Sequence, residues 1–302
     1  MKNITTFSEL VNHLAEQGMR KNVAVVWAAD ESTQHAVAQA ITDGFITATF
    51  VGCEKQLREQ AFLLPLLDHI TFVDAPTPDD AAAIAVGLVR EKKADILMKG
   101  LINTDNLLRA ILNKETGILP RGNVLTHITA ADIPTYDRLL LFTDPAVIPF
   151  PTHEQRIKQV EYLATMCRKM GIDEPRIALN HCSEKANEKH FPYTVGYQEI
   201  IGMAHEGAFG RCIVDGPLDV KTSCCAASLR TKGIDSPIEG QANAIVFPNI
   251  EAGNAFYKTI TLFAGAQTAG LLQGPTAPVV VSSRSDSTQS KYYSLAVAAM
   301  CS

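Results

Sequence analysis

Along most of the chain, short apolar runs rich in β-branched residues alternate with stretches whose apolar residues recur every three or four positions. The first pattern is typical of buried strands and the second of amphipathic helices. Alternation of strand and helix over the whole length predicts an α/β architecture around a mainly parallel sheet. The predicted strands are residues 23–28, 47–51, 70–73, 94–98, 139–143, 176–179, 212–214, 244–247 and 279–281.

Polar capping residues mark where several of the intervening helices begin. Residues 6–9 read as a capping box, and residues 30–32 supply an aspartate, a glutamate and a serine before an apolar helical pattern. Thr77 precedes a proline and two aspartates, which is the composition of a first helical turn. Thr152 opens a further helix that Gly171 ends. These signals support the alternating pattern independently of hydrophobic periodicity.

Composition narrows the class of protein. The chain has 302 residues, 46% of them hydrophobic, and a net charge of -5, with neither half strongly basic. Its length predicts about two domains, and its charge argues against a nucleic-acid surface. The cysteines are scattered without a C-x-x-C pair, and neither a signal core nor a membrane-length apolar run is present. We therefore expect a soluble cytoplasmic protein with reduced thiols and no nucleic-acid or membrane partner.

In α/β sheets, ligands bind beyond the carboxyl ends of the strands, so the polar residues after each predicted strand are the candidates for chemistry. The first candidate segment runs from Lys99 to Asp105, and Arg109 follows five residues after Thr104, in the next helix. Asn103 and Thr104 offer donors at a helix start, where free N–H groups favour an anion. The alternative is a capped helix with a solvated arginine.

The last candidate segment, residues 282–287, follows an apolar strand near the C-terminus and is rich in serine. Ser283 and Arg284 suit a phosphate or another oxyanion, because arginine provides a bidentate fork and serine a short neutral donor. The alternative is a serine-rich cap for the final helix, with Asp286 as its N-cap residue.

Three further segments follow predicted strands. Asp144 comes directly after residues 139–143, in a place where a cap or turn residue is also common. Residues 215–219 read as a plain turn about as well as a site. Residues 247–254, which include Asn249 and Glu251, concentrate polar groups before an amphipathic helix and are the strongest functional candidate of the three.

Several familiar motifs are absent. The sequence contains neither the nucleoside-triphosphate loop G-x-x-x-x-G-K-[ST] nor the dinucleotide fingerprint G-x-G-x-x-G nor the G-x-S-x-G elbow. His181 and His190 lack the spacing of a zinc site. A change of domain near residues 145–151, where three prolines fall, is compatible with the pattern, and composition leaves open whether the last strand returns to the first domain.

Taken together, the candidate segments resemble the phosphate acetyltransferase and phosphate butyryltransferase family, from about Ala94 to the C-terminus. The most specific match is residues 242–254, followed by Tyr257 and Lys258. Residues 215–217, 265–266 and 273–274 also fit, and Thr104 and Arg109 fall where the family has a threonine and a phosphate-binding arginine. The first ninety residues match only in pattern.

The resemblance implies a fold similar to that of isocitrate and isopropylmalate dehydrogenases. This is a two-domain α/β/α sandwich with a cleft between the domains, in a homodimer or higher homo-oligomer. The implied domains are residues 1–146 plus 279–302, and residues 147–278. The implied reaction is the reversible exchange of coenzyme A and phosphate on a short acyl group, without metal, tightly bound cofactor or covalent acyl-enzyme.

The resemblance also implies which residues carry the reaction. Acetyl-specific members have an aspartate seven residues after the catalytic serine, where this chain has Ser290, so Asp286 is either the base or only a helix cap. The serine-rich run and Lys291 are more similar to the butyryltransferase branch. A phosphate acetyltransferase, a dehydrogenase of related fold and a non-catalytic acyl-CoA sensor are the alternatives. The implied catalytic residues are Ser283, Arg284 and Asp286, and the implied phosphate- or substrate-binding residues are Lys99, Asn103, Thr104, Arg109, Asp144, Asn249 and Glu251.

Overall fold

The computed structural model describes residues 3–281 and 286–302. Strands and helices alternate along the chain, which confirms the predicted α/β class. Within those residues the strands are β1 (Lys21–Val26), β2 (Ile46–Gly52), β3 (Ile70–Asp74), β4 (Ile96–Lys99), β5 (Thr126–Asp132), β6 (Leu140–Thr143), β7 (Arg176–Asn180), β8 (Ile213–Leu218), β9 (Ala244–Val246), β10 (Gln267–Gln273) and β11 (Val279–Val280).

The helices of the same residues begin where capping residues predict, at Thr77 and Thr152 among others. Two short 3-10 helices, Ala61–His69 and Pro192–Thr194, also occur. The α-helices are α1 (Phe7–Gln17), α2 (Glu31–Thr42), α3 (Glu54–Arg58), α4 (Pro78–Arg90), α5 (Thr104–Ile111), α6 (His153–Lys169), α7 (Tyr197–His205), α8 (Val220–Cys224), α9 (Ala226–Lys232), α10 (Ile250–Phe263) and α11 (Thr288–Cys301).

The chain divides into two compact units. The N-terminal unit comprises Phe7–Leu125 and the C-terminal segment that starts at Thr268, and the central unit comprises residues 3–6 and Thr126–Gln267. These boundaries differ from the expected 146/147 and 278/279. The first differs because β5, which the apolar pattern did not reveal, pairs with β6 and brings the residues between them into the central unit. The second differs because β10 pairs with β11.

The sheet of the N-terminal unit has the strand order β3-β2-β1-β4-β11-β10. All neighbouring pairs are parallel except β10 with β11. The connections from β1 to β2 and β3 run in one direction along the sheet, and the connection from β3 to β4 returns past β1 to its other side. Helix α2 packs with α11, whereas α4 packs with α5 and contacts β1 and β4. The unit is therefore doubly wound, with its switch of direction between β1 and β4.

The strands of the central unit lie in the order β5-β6-β9-β7-β8, with only β5 antiparallel to its neighbour. Three phenylalanines form the aromatic part of its core: Phe142 contacts Phe247 and Phe256 edge-on, with ring centroids 5.9 Å and 5.1 Å apart. They join the strand ends of β6 and β9 to helix α10. Burial of these rings supplies much of the local stability of that edge.

Residues 215–219, which the sequence allowed as a turn beyond a strand, belong largely to the strand itself. Strand β8 continues through Leu218, past the predicted end at Val214. Gly216 makes this possible, because a Cβ at that position would lie 2.6 Å from the carbonyl oxygen of Leu179 on the neighbouring strand. The glycine serves the close approach of two strands. Across the described residues, every helix is too short or too polar to traverse a lipid bilayer.

Candidate active site

The first candidate segment lies at the topological switch of the N-terminal unit. Val26 at the end of β1 pairs with Lys99 at the end of β4, so the two strands finish side by side. The chain then leaves β1 towards α2 and leaves β4 towards α5. A crevice at such a point is the usual ligand position in a doubly wound sheet.

Gly100 allows the two strand ends to approach this closely. Its N–H donates to Val26 O at 2.8 Å, and Leu101 N–H donates to Trp27 O at the same distance. A Cβ on Gly100 would lie 2.5 Å from the Trp27 carbonyl oxygen, too close for any other residue without movement of the backbone. This glycine therefore serves the close approach of the ends of β1 and β4.

Helix α5 begins four residues after this glycine, at Thr104. Asn103 occupies the N-cap position, yet its side chain does not accept from the helix backbone, so the cap predicted for this loop is not formed by it. Thr104, the first helical residue, is exposed, as is Arg109 in the last turn. Buried Leu107 and Ile111 anchor the opposite face of the helix. The buried apolar face of α5 thus fixes the helix in place, so that its polar face lies at the topological switch.

Lys99 and the strand that precedes Ser283 and Arg284 share this edge. Lys99 is 5% exposed, with Nζ 3.3 Å from Gly100 O. Val280 of β11 pairs in parallel with Met98, so β11 ends beside the end of β4. Ser283 and Arg284 themselves lie outside the described residues.

Helix α11 corrects the expectation for Asp286. The N-cap residue is Ser287, whose side chain accepts from Ser290 N–H at 3.1 Å, so Asp286 is not the N-cap. Ser290, the position compared above with the aspartate of acetyl-specific members, donates its hydroxyl to Thr268 O at 2.7 Å. Ser287 is the N-cap residue because the helix starts at Thr288, one residue later than the sequence suggested.

A partly buried ion pair joins α11 to the start of α2. Lys291 Nζ donates to Asp30 Oδ1 at 2.8 Å, to Ser32 Oγ at 2.7 Å and to Thr33 Oγ1 at 3.0 Å. Burial alone would raise the pKa of the Asp30 carboxyl, but the hydrogen bonds from Lys291, Thr33 and Ser32 outweigh it and lower that pKa to about 2. This contact fixes the start of α11 at the same edge as Lys99. No pattern in a single sequence could have paired residues so far apart.

In the central unit, Asp144 is buried and holds its own loop. Its Oδ1 accepts from the backbone N–H groups of Ala146 and Val147, both at 2.8 Å. Its Oδ2 accepts from Thr126 Oγ1 at 2.8 Å and from the N–H groups of His127 and Ile148. Both carboxylate oxygens are thus occupied by the protein, and the predicted substrate contact of Asp144 stays a prediction.

The segment around Asn249 packs on the same loop. Asn249 is the N-cap of α10, and its side chain accepts from Ala252 N–H at 2.9 Å. Asn254 Nδ2 donates to Pro145 O at 3.0 Å, and a Cβ on Gly253 would lie 2.6 Å from Asp144 O. Much of this specific sequence therefore serves the seating of α10 on the loop. Glu251, exposed in the first turn, is the predicted site residue that projects from it.

The sequence did not single out Arg156, which supports this arrangement from α6. Its Nη2 donates to Pro248 O at 2.9 Å, and its Cζ lies 5.0 Å from the centroid of the Tyr193 ring. The side chain is buried, and burial lowers the pKa of its guanidinium. Arg156 thereby fixes the turn that precedes Asn249. Among residues 3–281 and 286–302, no group of three or more His, Cys, Asp or Glu side chains is arranged to hold a metal ion.

Comparison with known proteins gives a consistent result. The family model for phosphate acetyl/butaryl transferase matches residues 69–299. A phosphate butyryltransferase of Clostridium beijerinckii is 35% identical over 295 residues, which is 97% of each chain. The structure of a branched-chain phosphotransacylase from Enterococcus faecalis superposes with a TM-score of 0.82 at 29% identity, covering 93% of this chain and 98% of that one.

A more distant likeness concerns the fold alone. The structure of 4-hydroxythreonine-4-phosphate dehydrogenase from Klebsiella pneumoniae superposes with a TM-score of 0.55 at 10% identity, covering 92% of this chain and 98% of that one. The expected similarity to a dehydrogenase fold is therefore confirmed.

Proposed function

This chain belongs to the phosphate acetyl/butaryl transferase family, and we propose that its preferred acyl group is butyryl or a similarly small branched chain. As a phosphate acyltransferase it transfers a short acyl group reversibly between coenzyme A and inorganic phosphate. The butyryl preference is supported by the relatives that name butyryl or branched-chain substrates. Acetyl is the second candidate, because the family includes it.

The observation that carries the mechanism is the parallel pairing of β11 with β4. It supports a common site for the helix of Thr104 and Arg109 and for the segment that continues from β11 towards Ser283. Arg109 and Arg284 would hold the phosphoryl group, with Lys99, Asn103 and Thr104 as further donors. Guanidinium groups suit this task because they bind phosphate oxygens bidentately.

In the direction of thioester synthesis, the sulfur of coenzyme A attacks the carbonyl carbon of the acyl phosphate. A new C–S bond forms, the C–O bond to phosphate breaks, and phosphate leaves with the electron pair. A free thiol has a pKa of about 8.5, so the site must favour the thiolate. Ser283 would donate to the sulfur or the developing oxyanion, and Arg284 would balance the charge of the departing phosphate. Both substrates react directly in a ternary complex, without tightly bound cofactor or metal.

Asp286 is the proposed acceptor of the thiol proton. Two contacts support it: Ser287 takes the N-cap position, and the Ser290 hydroxyl is bound to Thr268 O. The carboxylate of Asp286 is therefore not needed for the N-cap. Replacing Asp286 with Asn should lower turnover most near neutral pH and least at alkaline pH, where the thiol ionises by itself. A uniform loss across the pH profile would assign Asp286 a structural role.

Asp144, Asn249 and Glu251 are proposed to act on the acyl-CoA side. Glu251 is exposed, whereas Asp144 and Asn249 would act mainly by holding the backbone on which Glu251 sits.

We propose a cytoplasmic homodimer or higher homo-oligomer. All seven cysteines are free thiols, which fits a reducing compartment. Leu262 and Phe263, 74% and 80% exposed at the end of α10, are apolar surface of the kind that subunit contacts cover.

The direct test is release of free coenzyme A from acetyl-, butyryl- and isobutyryl-CoA with and without phosphate. We expect phosphate-dependent release that needs neither NAD nor a divalent ion, with the highest kcat/KM for a four-carbon group. A requirement for NAD and metal would favour the dehydrogenase alternative. Absence of release from every thioester would favour a binding protein.

A further inference from the structure

Trp27, the only tryptophan of the chain, has an unusual backbone conformation at the switch of the N-terminal unit. It follows β1 directly and has φ +50°, in the left-handed region that bulky residues rarely adopt. Residues strained in this way persist where the surrounding structure enforces the conformation, and they cluster at ligand sites. None of the roles assigned above uses this side chain.

Three backbone hydrogen bonds hold the main chain of Trp27, and a glycine lies beside its ring. Its N–H donates to Val51 O at 2.8 Å, and its carbonyl accepts from Ala29 and Leu101, both at 2.8 Å. A Cβ on Gly52 would lie 3.2 Å from Cε3 of the indole, so this glycine leaves the ring its space. The backbone from which the indole projects is consequently fixed, and it has little conformational freedom to lose when a ligand binds.

Beside the ring lies a half-open cleft lined by Trp27, Ala28, Ala29, Cys53, Gln56 and Leu57. The cleft itself has room for about one water molecule, so a ligand ring would lie across its mouth rather than inside it. An aromatic face with apolar neighbours and a single amide matches a nucleobase, which stacks by its face and hydrogen-bonds by its edge. Lys55 of the adjoining α3 is exposed and adds positive charge near the cleft.

The cleft lies within reach of the proposed reacting centre. β1 is separated from β11 by β4 alone, which is about 10 Å at ordinary strand spacing. The indole contacts Gly52 at the end of β2, still further along the same sheet. A coenzyme A whose thiol reacts beside β4 and β11 would therefore bring its nucleotide end to Trp27 if the pantetheine arm follows the strand ends.

We propose that Trp27 stacks on the adenine ring of coenzyme A, with the amide of Gln56 beside the edge of the base. This proposal rests on the proposed function, since it assigns a subsite to its substrate. It predicts that the enzyme distinguishes coenzyme A from pantetheine, which has the same thiol arm without the nucleotide, and that Trp27 accounts for most of this distinction.

Because Trp27 is the only tryptophan, emission excited at a wavelength where tyrosine does not absorb reports on this side chain alone. Titration with coenzyme A should quench the emission saturably, and adenosine 3′,5′-bisphosphate should do the same at higher concentration. Pantetheine should leave the emission unchanged at concentrations that support turnover. Equal quenching by pantetheine, or none by coenzyme A, would overturn the proposal.

A variant tests the same contact by kinetics. Trp27→Asn removes the ring while keeping a residue that tolerates a positive φ, so the loop is retained. We expect the KM for butyryl-CoA to rise roughly tenfold or more, the usual consequence of losing one base stack. The preference for butyryl-CoA over butyryl-pantetheine should fall by the same factor, and Trp27→Phe should restore most of it. An equal change for both thioesters would indicate a structural role for the ring.

The two proposals fail separately. If wild-type protein released no coenzyme A in the presence of phosphate, the proposed function would be wrong. If it turned over butyryl-CoA yet Trp27→Asn kept the full preference over butyryl-pantetheine, the function would stand and the adenine subsite would be wrong.

Discussion

The loop after β4 and the loop after β6 occupy equivalent places at the carboxyl ends of parallel strands, but they use their polar residues differently. In the N-terminal unit, Thr104 and Arg109 lie exposed on a helix that is anchored by its apolar face. In the central unit, Asp144 is buried and accepts hydrogen bonds from its own loop and from β5. Position in the fold alone therefore does not decide whether a polar residue meets a ligand.

The difference has a physical basis. A buried carboxylate must be hydrogen-bonded, and a loop rich in proline offers several N–H groups that the remaining backbone does not satisfy. Asp144 meets both needs at once. An exposed guanidinium has no such obligation, so it remains available to a phosphate. Substitutions in the first loop should therefore affect activity at constant stability, and substitutions in the second should affect stability first.

The largest effect is expected for Arg109→Ala. Loss of the guanidinium that we propose binds phosphate should lower kcat/KM for phosphate about 10²- to 10³-fold, as removal of a donor to a developing charge commonly does. The melting temperature should stay within a degree or so of wild type, because Arg109 is exposed. Steady-state kinetics with varied phosphate and a thermal melt measure the two quantities.

Arg90→Ala is the matched control, since Arg90 is also exposed and ends the neighbouring helix α4. It should change neither quantity. Arg109→Lys should recover only part of the activity, because a lysine keeps the charge without the planar fork. Unchanged phosphate kinetics in Arg109→Ala would remove the basis for the comparison between the loops.

The next largest effect is expected for Asp144→Ala, and it concerns stability. The change leaves the N–H groups of Ala146, Val147 and Ile148 without their acceptor. Unsatisfied buried groups of this kind should lower the free energy of unfolding by about 3 kcal/mol or more. Asp137→Ala, at a side chain that is 75% exposed in the same unit, is the control and should have little effect. Urea unfolding measures the stability of both variants. If Asp144→Ala were as stable as wild type, the structural role of Asp144 would be wrong and a substrate contact would be the better explanation.

This contrast also shows what the sequence could predict. Apolar periodicity identified most strands, and the caps at Thr77 and Thr152 lie where their neighbours indicate. Strand β5 was missed because its sequence, with threonines and alanines, lacks a long apolar run, and the domain boundary moved with it. The sequence could not predict that Asp144 binds its own loop, because a carboxylate with that role and one that binds a substrate have the same sequence pattern.

Long-range contacts set the other limit. Lys291 was noticed only for its similarity to one branch of the family, and its partner Asp30 only as a helix start. Asp286 was interpreted as either the base or a cap of the final helix, and the cap is instead Ser287, because the helix starts one residue later. Trp27 lay inside the predicted strand 23–28, whereas the observed strand ends at Val26, and nothing in the sequence marked its positive φ angle.

The Asp30–Lys291 pair sharpens the comparison, because it shows that a carboxylate in the N-terminal unit can also stabilise the fold. The folded-state pKa of Asp30 is about 2, below its ordinary 3.8. A lowered pKa stabilises the fold above pH 4, and the contribution of about 2 kcal/mol is lost as the pH falls through 2. Lys291→Met should therefore destabilise the protein at pH 7 and flatten its stability profile between pH 4 and pH 2.

Urea unfolding at stepped pH measures this profile. Lys93→Met, which removes the exposed partner of Glu91 in the same unit, is the control and should leave both the stability at pH 7 and the acid profile unchanged. An acid profile of Lys291→Met that coincided with that of wild type would mean that the ion pair does not lower the pKa of Asp30 in solution.

The smallest effect is expected for Gly253→Ala, which tests whether the specific sequence around Asn249 is mainly a packing feature. Its new Cβ would lie 2.6 Å from Asp144 O, so α10 must move off the loop at a cost of about 1–2 kcal/mol. Gly87→Ala in α4 meets no atom within 4 Å and should instead stabilise the protein by about 0.5–1 kcal/mol, through helix propensity. Because the two substitutions are chemically identical, opposite signs in urea unfolding would isolate the contact with the loop. Stabilisation by both would show that α10 can shift freely, and that this glycine is better explained by the approach of a substrate than by the loop.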